Sequence, residues 1–246
     1  MSTLLQTRGL TLKFGGVVAA DGIDFDLQAG ERLAVIGANG AGKTTFINMV
    51  TGYIKPSAGQ IHFDGADITG LHPRQIVLRG VGRSFQLPQL FLEHTVRESV
   101  ELAVAARQGR MRMFRPMARC VDPLEIDHAL SVVGLAERAE DLCSSLPEGH
   151  RKLLDIAMAL VLRPKLLIMD EPTSGVAADE KHPLMATIMK ALSESNVTAI
   201  FVEHDVDIVH QYATRVAAWI SGRIAADGSP EVVMNDREVR TVVLGH

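Results

Sequence analysis

The sequence predicts an α/β fold: a parallel sheet covered by helices on both faces, a small antiparallel sheet near its start and a helical insertion near its middle. Three observations predict it. Short strand-patterned runs, mostly apolar, at Leu33-Ala34-Val35-Ile36, Leu166-Leu167-Ile168-Met169, Thr198 to Val202 and Val216 to Ile220 alternate with helix-patterned stretches. That order is expected of buried parallel strands joined by helical crossovers. Residues Leu4 to Leu27 alternate apolar and polar side chains, with turn breaks at Gly15-Gly16 and Asp21-Gly22, as antiparallel strands do. From Thr95 to Leu160 the pattern is mostly helical: Val96, Val100, Ala103 and Val104, then Leu153, Ile156, Ala157 and Leu160, recur at three- and four-residue spacing.

Taken in order, the antiparallel strands lead into the Leu33 to Ile36 strand, a Gly-rich loop and a helix over Thr44 to Val50 closed by Gly52. Gln60 to Phe63 and Val81 to Phe85 are further strands. The expected organisation is a single domain. Its core, with the antiparallel subdomain, takes residues 1–87 and 161–226, the helical insertion 88–160, and a short C-terminal tail 227–246. A chain of 246 residues, 47% hydrophobic, is large enough to bury such a core. With 25 basic and 29 acidic residues the net charge of −4 speaks against nucleic acid as a partner. No apolar run approaches the ~18–20 residues of a membrane helix, and the N-terminus lacks the order of a signal peptide. Membrane association is therefore expected through partners. Cys120 and Cys143 suggest neither a disulfide framework nor a metal cluster, and suit packing in a reducing compartment.

The most specific segment is Gly37-Ala38-Asn39-Gly40-Ala41-Gly42-Lys43-Thr44, which matches G-x-x-x-x-G-K-[ST] between a strand and a helix. Glycines let the backbone approach an anion and turn its N–H groups toward phosphate oxygens, and the following helix aims its positive end at the same charge. Lys43 is placed to reach the β- and γ-phosphates, and the Thr44 hydroxyl to ligate Mg²⁺. Gly37, Asn39, Gly40, Ala41, Gly42, Lys43, Thr44 and Thr45 are thus the expected ATP cradle. The fold class sharpens accordingly to α/β, a P-loop NTPase core with parallel sheet, small antiparallel β-subdomain and inserted helical subdomain.

Leu166 to Met169 ends in Asp170-Glu171, at the strand edge where such folds place ligands. Asp170 is expected to hold Mg²⁺, through water, and Glu171 to orient or deprotonate the attacking water. Read alone, Asp170-Glu171-Pro172-Thr173 is equally a turn that caps the next helix.

The acidic pair followed by Pro172-Thr173-Ser174-Gly175, then Phe201-Val202-Glu203-His204-Asp205 after another strand, resembles the ABC ATPase family over nearly the whole chain. The resemblance implies an ATP-hydrolysing subunit using ATP and Mg²⁺. His204 would be a switch histidine that contacts the γ-phosphate, Gln86 would touch Mg²⁺ and sense a membrane subunit, and Phe14 would stack on adenine. It also implies partners: a second ATPase, identical or different, closed head-to-tail; two integral-membrane permease subunits; and indirectly an external substrate-binding protein. The location implied is peripheral, on the cytoplasmic face of the cell membrane. Phe14-Gly15-Gly16, Arg83-Ser84-Phe85-Gln86, Leu90-Phe91 and Thr95-Val96-Arg97-Glu98 narrow the likeness to the larger ATPase of branched-chain amino acid importers and their relatives, urea importers included.

The chain departs from the family where a Leu-Ser-Gly-Gly-Gln type signature is expected. Leu146-Pro147-Glu148-Gly149-His150 stands there, before Arg151-Lys152-Leu153-Leu154-Asp155-Ile156-Ala157. In the family, Pro147, Glu148, Gly149 and His150 would face the partner's ATP. Pro147 supplies neither the hydroxyl nor the N–H of the usual serine, and Glu148 adds negative charge near an anion. The same residues also read as a capping box, Ser145 as N-cap with Glu148 three positions on. Val176-Ala177-Ala178-Asp179 departs from the family's usual loop as well.

Arg107, Arg110, Arg112, Arg115 and Arg119, with no acid among them and Met111, Met113, Phe114 and Met117 interleaved, suit either anionic lipid and a membrane subunit or a solvated loop. Three other functions compete: a non-transport ABC ATPase, a small-molecule kinase, and a binding-only subunit with a degenerate signature.

Overall fold

The computed structural model describes residues 2–109 and 121–245. Strands β1 (Thr3–Phe14) and β2 (Val17–Gln28) form a hairpin that turns at Gly15-Gly16. The second expected break, Asp21-Gly22, is a correction: it lies inside β2, where the β1–β2 register shifts between Leu10 and Leu12. Such an irregularity bends a strand without ending it. Strand β4 (Ala58–Phe63) pairs antiparallel with β1, and β5 (Ala66–Asp67) with β4, closing a four-stranded sheet in the order β2-β1-β4-β5.

A six-stranded sheet contains β3 (Arg32–Gly37), β6 (Val81–Ser84), β7 (Leu166–Asp170), β8 (Thr198–Val202), β9 (Arg215–Ile220) and β10 (Arg223–Gly228) in the order β10-β9-β3-β8-β7-β6. Pairing from β9 through β6 is parallel, as expected; β10 is an antiparallel edge strand that the sequence reading did not anticipate. Its alternation of exposed and half-buried residues lacks the buried run that marks the others.

Each face of this sheet has its own core. On one, helix α1 (Lys43–Val50) packs between the two sheets, and the Phe46 ring lies 5.2 Å from fully buried Trp219. On the other, α6 (Ala178–Glu194) and α7 (Val206–Tyr212) cover Ala34, Met169, Phe201 and Ala218. The segment after Asp227, expected only as a short tail, carries α8 (Pro230–Met234) and α9 (Arg237–Val239), and buries Val233 and Val239 completely in this second core. A third cluster joins α3 (Val96–Arg107), α4 (Pro123–Val132) and α5 (Glu148–Leu160) around Val100, Val104, Leu130, Leu135 and Leu154. Helix α2 (Pro73–Val77) precedes β6.

The Ser145 capping box does not form. The Ser145 hydroxyl donates to the Leu142 carbonyl at 2.8 Å, and α5 begins from Pro147, whose extended backbone (φ −57°, ψ 155°) offers no side-chain cap. Of the basic stretch, Arg110, Arg112, Arg115 and Arg119 lie outside the described residues. Arg107 is not a free cation: it is paired with Glu125 at 2.8 Å and donates to the Val161 carbonyl.

Asp155 on α5 has one buried oxygen without a hydrogen-bond partner. Burial pushes its carboxyl pKa up, against the opposing pull of Ser84, the Phe85 amide and Lys152. A folded-state pKa above the unfolded value means that the native chain holds the proton more tightly. This contribution to stability is therefore full at acid pH and is lost as pH rises above the unfolded value. Asp155→Asn is expected to raise Tm by about 2–4 °C at about pH 8, the shift that about 1 kcal/mol produces in a chain of this size, and to leave it unchanged near pH 4. Thermal melts at the two pH values check this; an equal shift at both contradicts it.

Candidate functional site

The phosphate loop leaves β3 at Gly37 and enters α1 at Lys43. Two glycines there are obligatory on packing grounds. A Cβ on Gly37 would sit 2.5 Å from the Trp219 carbonyl, and one on Gly42 (φ +103°) 2.5 Å from the Ala19 carbonyl. The loop therefore lies directly against β9 and β2, with its open side facing a cavity of about 320 Å³. Asn39, Gly40, Ala41, Gly42, Lys43, Thr44 and Thr45 line that cavity together with Val17, Val18, Ala19 and Glu171. Its size is that of a small-molecule site, roughly 300–1,000 Å³.

Lys43 is nearly buried, and its ammonium donates to the Gly37 and Ala38 carbonyls at 2.7 and 3.0 Å. Desolvation pushes its pKa down, while Glu171 and Asp170 act to keep it charged. The ammonium is thus bound only by its own loop's carbonyls, beside the cavity, where an anion would offer a stronger partner. Among the described residues no group of three His, Cys, Asp or Glu side chains gathers as an all-protein metal cage. An exposed Thr44 hydroxyl and the Asp170 carboxylate instead suit magnesium, a hard ion held by one or two carboxylates and substrate phosphates.

Glu171 follows β7 in a left-handed conformation (φ 49°) that costs a non-glycine residue about 1–2 kcal/mol. Its carboxylate accepts from Gln86 Nε2 at 2.6 Å and lies 3.1 Å from His204 Nε2. Gln86 and His204 come from the ends of different strands, β6 and β8. Three residues far apart in sequence thus meet at the acid that borders the phosphate loop.

Some expected residues lie elsewhere. Phe14 ends β1, half exposed and paired with Val17, at the hairpin beside the cavity and not in its wall. Pro147, Glu148, Gly149 and His150 start α5 next to the Gly175 turn, where Glu148 Cγ stands 3.7 Å from a Cβ built on Gly175; they do not border this chain's cavity.

Three supporting residues escaped sequence reasoning. The Arg83 guanidinium donates to Asn48 Oδ1 at 2.7 Å and to Asp170 Oδ2 at 3.4 Å, and packs against the rings of both Phe85 and Tyr53. Buried Glu203 accepts from the Thr173 amide and hydroxyl and from the His204 amide, locking the turn after Glu171 to the end of β8. Lys152, 3% exposed, donates to two main-chain carbonyls, those of Gln86 and Glu171. Arg83 and Glu203 stand beside residues already singled out, and that adjacency is the only signal they carried. Lys152 carried none beyond its place in the segment that follows the signature.

Comparison with known proteins gives consistent matches. The profile of the ABC transporter family matches residues 20–174. The chain is 35% identical over 251 residues to the high-affinity branched-chain amino acid transport ATP-binding protein BraF of Pseudomonas aeruginosa, covering 98% of both chains. It is 34% identical over 250 residues to the corresponding protein LivG of Escherichia coli K12, again covering 98% of both. Among solved structures, the ADP conformation of MJ1267, an ATP-binding cassette of an ABC transporter, superposes with a TM-score of 0.86 at 28% identity over 100% of both chains. The structure of cbiO1 from Clostridium perfringens, part of an ABC transporter complex, does so with a TM-score of 0.83 at 30% identity, over 98% of this chain and 96% of that one.

Proposed function

The chain belongs to the ABC transporter family of ATPases, which hydrolyse ATP to power transport, and from that membership we propose that it drives an importer of branched-chain amino acids or a related small polar solute. One observation carries the catalytic half of this reading: Glu171, held by Gln86 and His204, borders the same cavity as the Lys43 loop. The loop amides and Lys43 bind the phosphates, and Thr44, Asp170 and Gln86 would hold magnesium. That ion, when bound, neutralises charge on the β- and γ-phosphate oxygens. Glu171 orients and deprotonates the attacking water, and His204 contacts the terminal phosphate. Phe14 offers its exposed face to the adenine.

The division of labour follows the cores: among the described residues, those of 1–87 and 161–226 bind nucleotide, those of 88–160 form the helical insertion, and those of 227–246 buttress the core. The insertion receives the membrane subunits. Between it and the core runs a largely apolar groove of about 340 Å³, lined by Tyr53, Ile76, Val77, Phe85, Leu102 and Met158. Phe85 joins that groove directly to Gln86, so a permease segment seated there would move the residue beside Glu171. No helix among the described residues is long and apolar enough to cross a membrane, which supports peripheral attachment through permeases at the cytoplasmic membrane face.

A second ATPase closes head-to-tail on this one, and Pro147 supports a functional asymmetry between the two sites. Its extended backbone has no N–H to give, and Glu148 in the first turn of α5 repels an anion even as it favours the helix dipole. Where the partner is a different ATPase with the usual signature, the site built on the partner's phosphate loop is therefore the weaker one; an identical partner would place Pro147 in both sites. Reconstitution with the co-purifying permease, ATPase and substrate-binding subunits tests the whole reading. ATP-dependent uptake of leucine, isoleucine or valine into proteoliposomes is expected. Uptake of none of them despite substrate-stimulated ATP turnover would reassign the solute, and absence of turnover would refute the motor.

A further inference from the structure

Lys152 is a buried cation with an unusual pair of partners. It sits on the second turn of α5, the helix that starts at Pro147, and is only 3% exposed. Its ammonium donates at 3.1 Å to the carbonyl of Gln86, just beyond β6, and at 3.1 Å to the carbonyl of Glu171, just beyond β7. Both acceptors are main-chain groups, so the contact sets where these two backbones run irrespective of where their side chains point. Glu171 has a left-handed backbone, held on its other side by the bond from its own amide to the Val202 carbonyl at 3.1 Å. Residues in such sparsely populated conformations persist only where their surroundings over-determine them.

Stability alone does not account for a charge at this position. Burial pushes the Lys152 ammonium's pKa down, against the attraction of Glu148, Glu203, Glu171 and Asp155. Taking such a charge out of water costs several kcal/mol, and well-packed apolar replacements of similar volume are often neutral in stability. An ammonium at the junction of two functional loops is better explained by the geometry it enforces.

We propose that Lys152 is a positioning residue for hydrolysis: it ties the main chain of Gln86 to that of Glu171 from the first turns of α5, so that the start of that helix, the glutamine and the catalytic acid move as one body. This rests on the reading of Glu171 and Gln86 given above. A shift of the helical insertion then reaches the acid through one side chain, and loss of that side chain frees Glu171 without touching the phosphate loop.

The test uses Lys152→Met and Lys152→Arg in the assembled transporter, with Glu171→Gln run alongside. Lys152→Met is expected to lower kcat about 30-fold, within the range that a small misplacement of a reacting group produces. KM for ATP should stay within about twofold, because the Lys43 loop is untouched. Lys152→Arg, whose fork of donors can span both carbonyls, should recover kcat to within about threefold. In the isolated full-length chain, amide hydrogen exchange should rise in the segments around Gln86 and Glu171 and remain unchanged in the phosphate loop. Should Lys152→Met fail to fold, Lys152→Gln, shorter and uncharged, carries the same predictions. A kcat within twofold of the parent, or a parallel rise in KM with loss of nucleotide binding, overturns the proposal. If Glu171→Gln abolishes turnover while Lys152→Met does not, only the strut fails; if Glu171→Gln retains full turnover, the site reading itself fails.

Discussion

Replacing Lys43 with alanine is expected to weaken ATP binding by the purified chain at least about 100-fold, the ~3 kcal/mol lost when one partner of a buried, hydrogen-bonded charge contact is removed. The expectation follows from where the ammonium is. It lies nearly buried beside the cavity, desolvated, and bound only to the Gly37 and Ala38 carbonyls of its own loop. An incoming phosphate replaces neutral acceptors with charged ones, and much of the affinity comes from that exchange. Alanine removes the cation but leaves the loop glycines, whose close approaches to Trp219 and Ala19 set the loop's course. Folding should therefore survive while binding does not. Displacement of a fluorescent nucleotide, with circular dichroism as a control for folding, measures this. An affinity within threefold of the parent contradicts the role given to Lys43.

Glu171→Gln is expected to reduce single-turnover phosphate release in the assembled transporter by about 10²–10⁴-fold, the contribution typical of a positioned general base, with ATP affinity preserved. Glutamine keeps the size of the side chain but cannot take a proton. The paired site, formed on the partner's phosphate loop against Pro147 and Glu148, does not compensate if it is the weaker of the two. With a different ATPase as partner, near-complete loss of turnover therefore supports both the role of Glu171 and the asymmetry; with an identical partner the substitution falls in both sites and the loss supports the role of Glu171 alone. Retention of half the rate would mean that the Pro147 site hydrolyses at full speed, and full retention would remove Glu171 from the chemistry.

Much of this architecture was legible in the sequence because the signals were local. Leu33 to Ile36 and Ala199 to Val202 are apolar throughout, as central parallel strands must be, and each lies buried between two neighbours. The phosphate loop was readable because backbone approach to an anion demands glycine, and the Gly37 and Gly42 contacts show how little room another residue would have. What escaped was decided by tertiary contact. β10 is partly exposed along its whole length and mixes charged, small and apolar residues, so nothing in its pattern separates it from a loop. Asp21-Gly22 reads as a turn, yet β1 holds that segment in the sheet through a register shift. Ser145 has the spacing of an N-cap, but Pro147 fixes an extended backbone that starts the helix later. Arg83, Glu203 and Lys152 act by holding Asp170, Thr173 and Glu171. Their partners are remote in sequence, and no spacing rule pairs a lysine with two main-chain carbonyls on different loops.

Titration of the purified chain with ATP, with and without magnesium, bears most directly on the claim that the Lys43 loop and the Asp170–Glu171 pair form one nucleotide site. One nucleotide per chain is expected, with affinity falling at least about tenfold when magnesium is chelated, since roughly 1.4 kcal/mol of binding would then be lost. A chain that takes up no nucleotide, or binds it equally well without the metal, would contradict that claim.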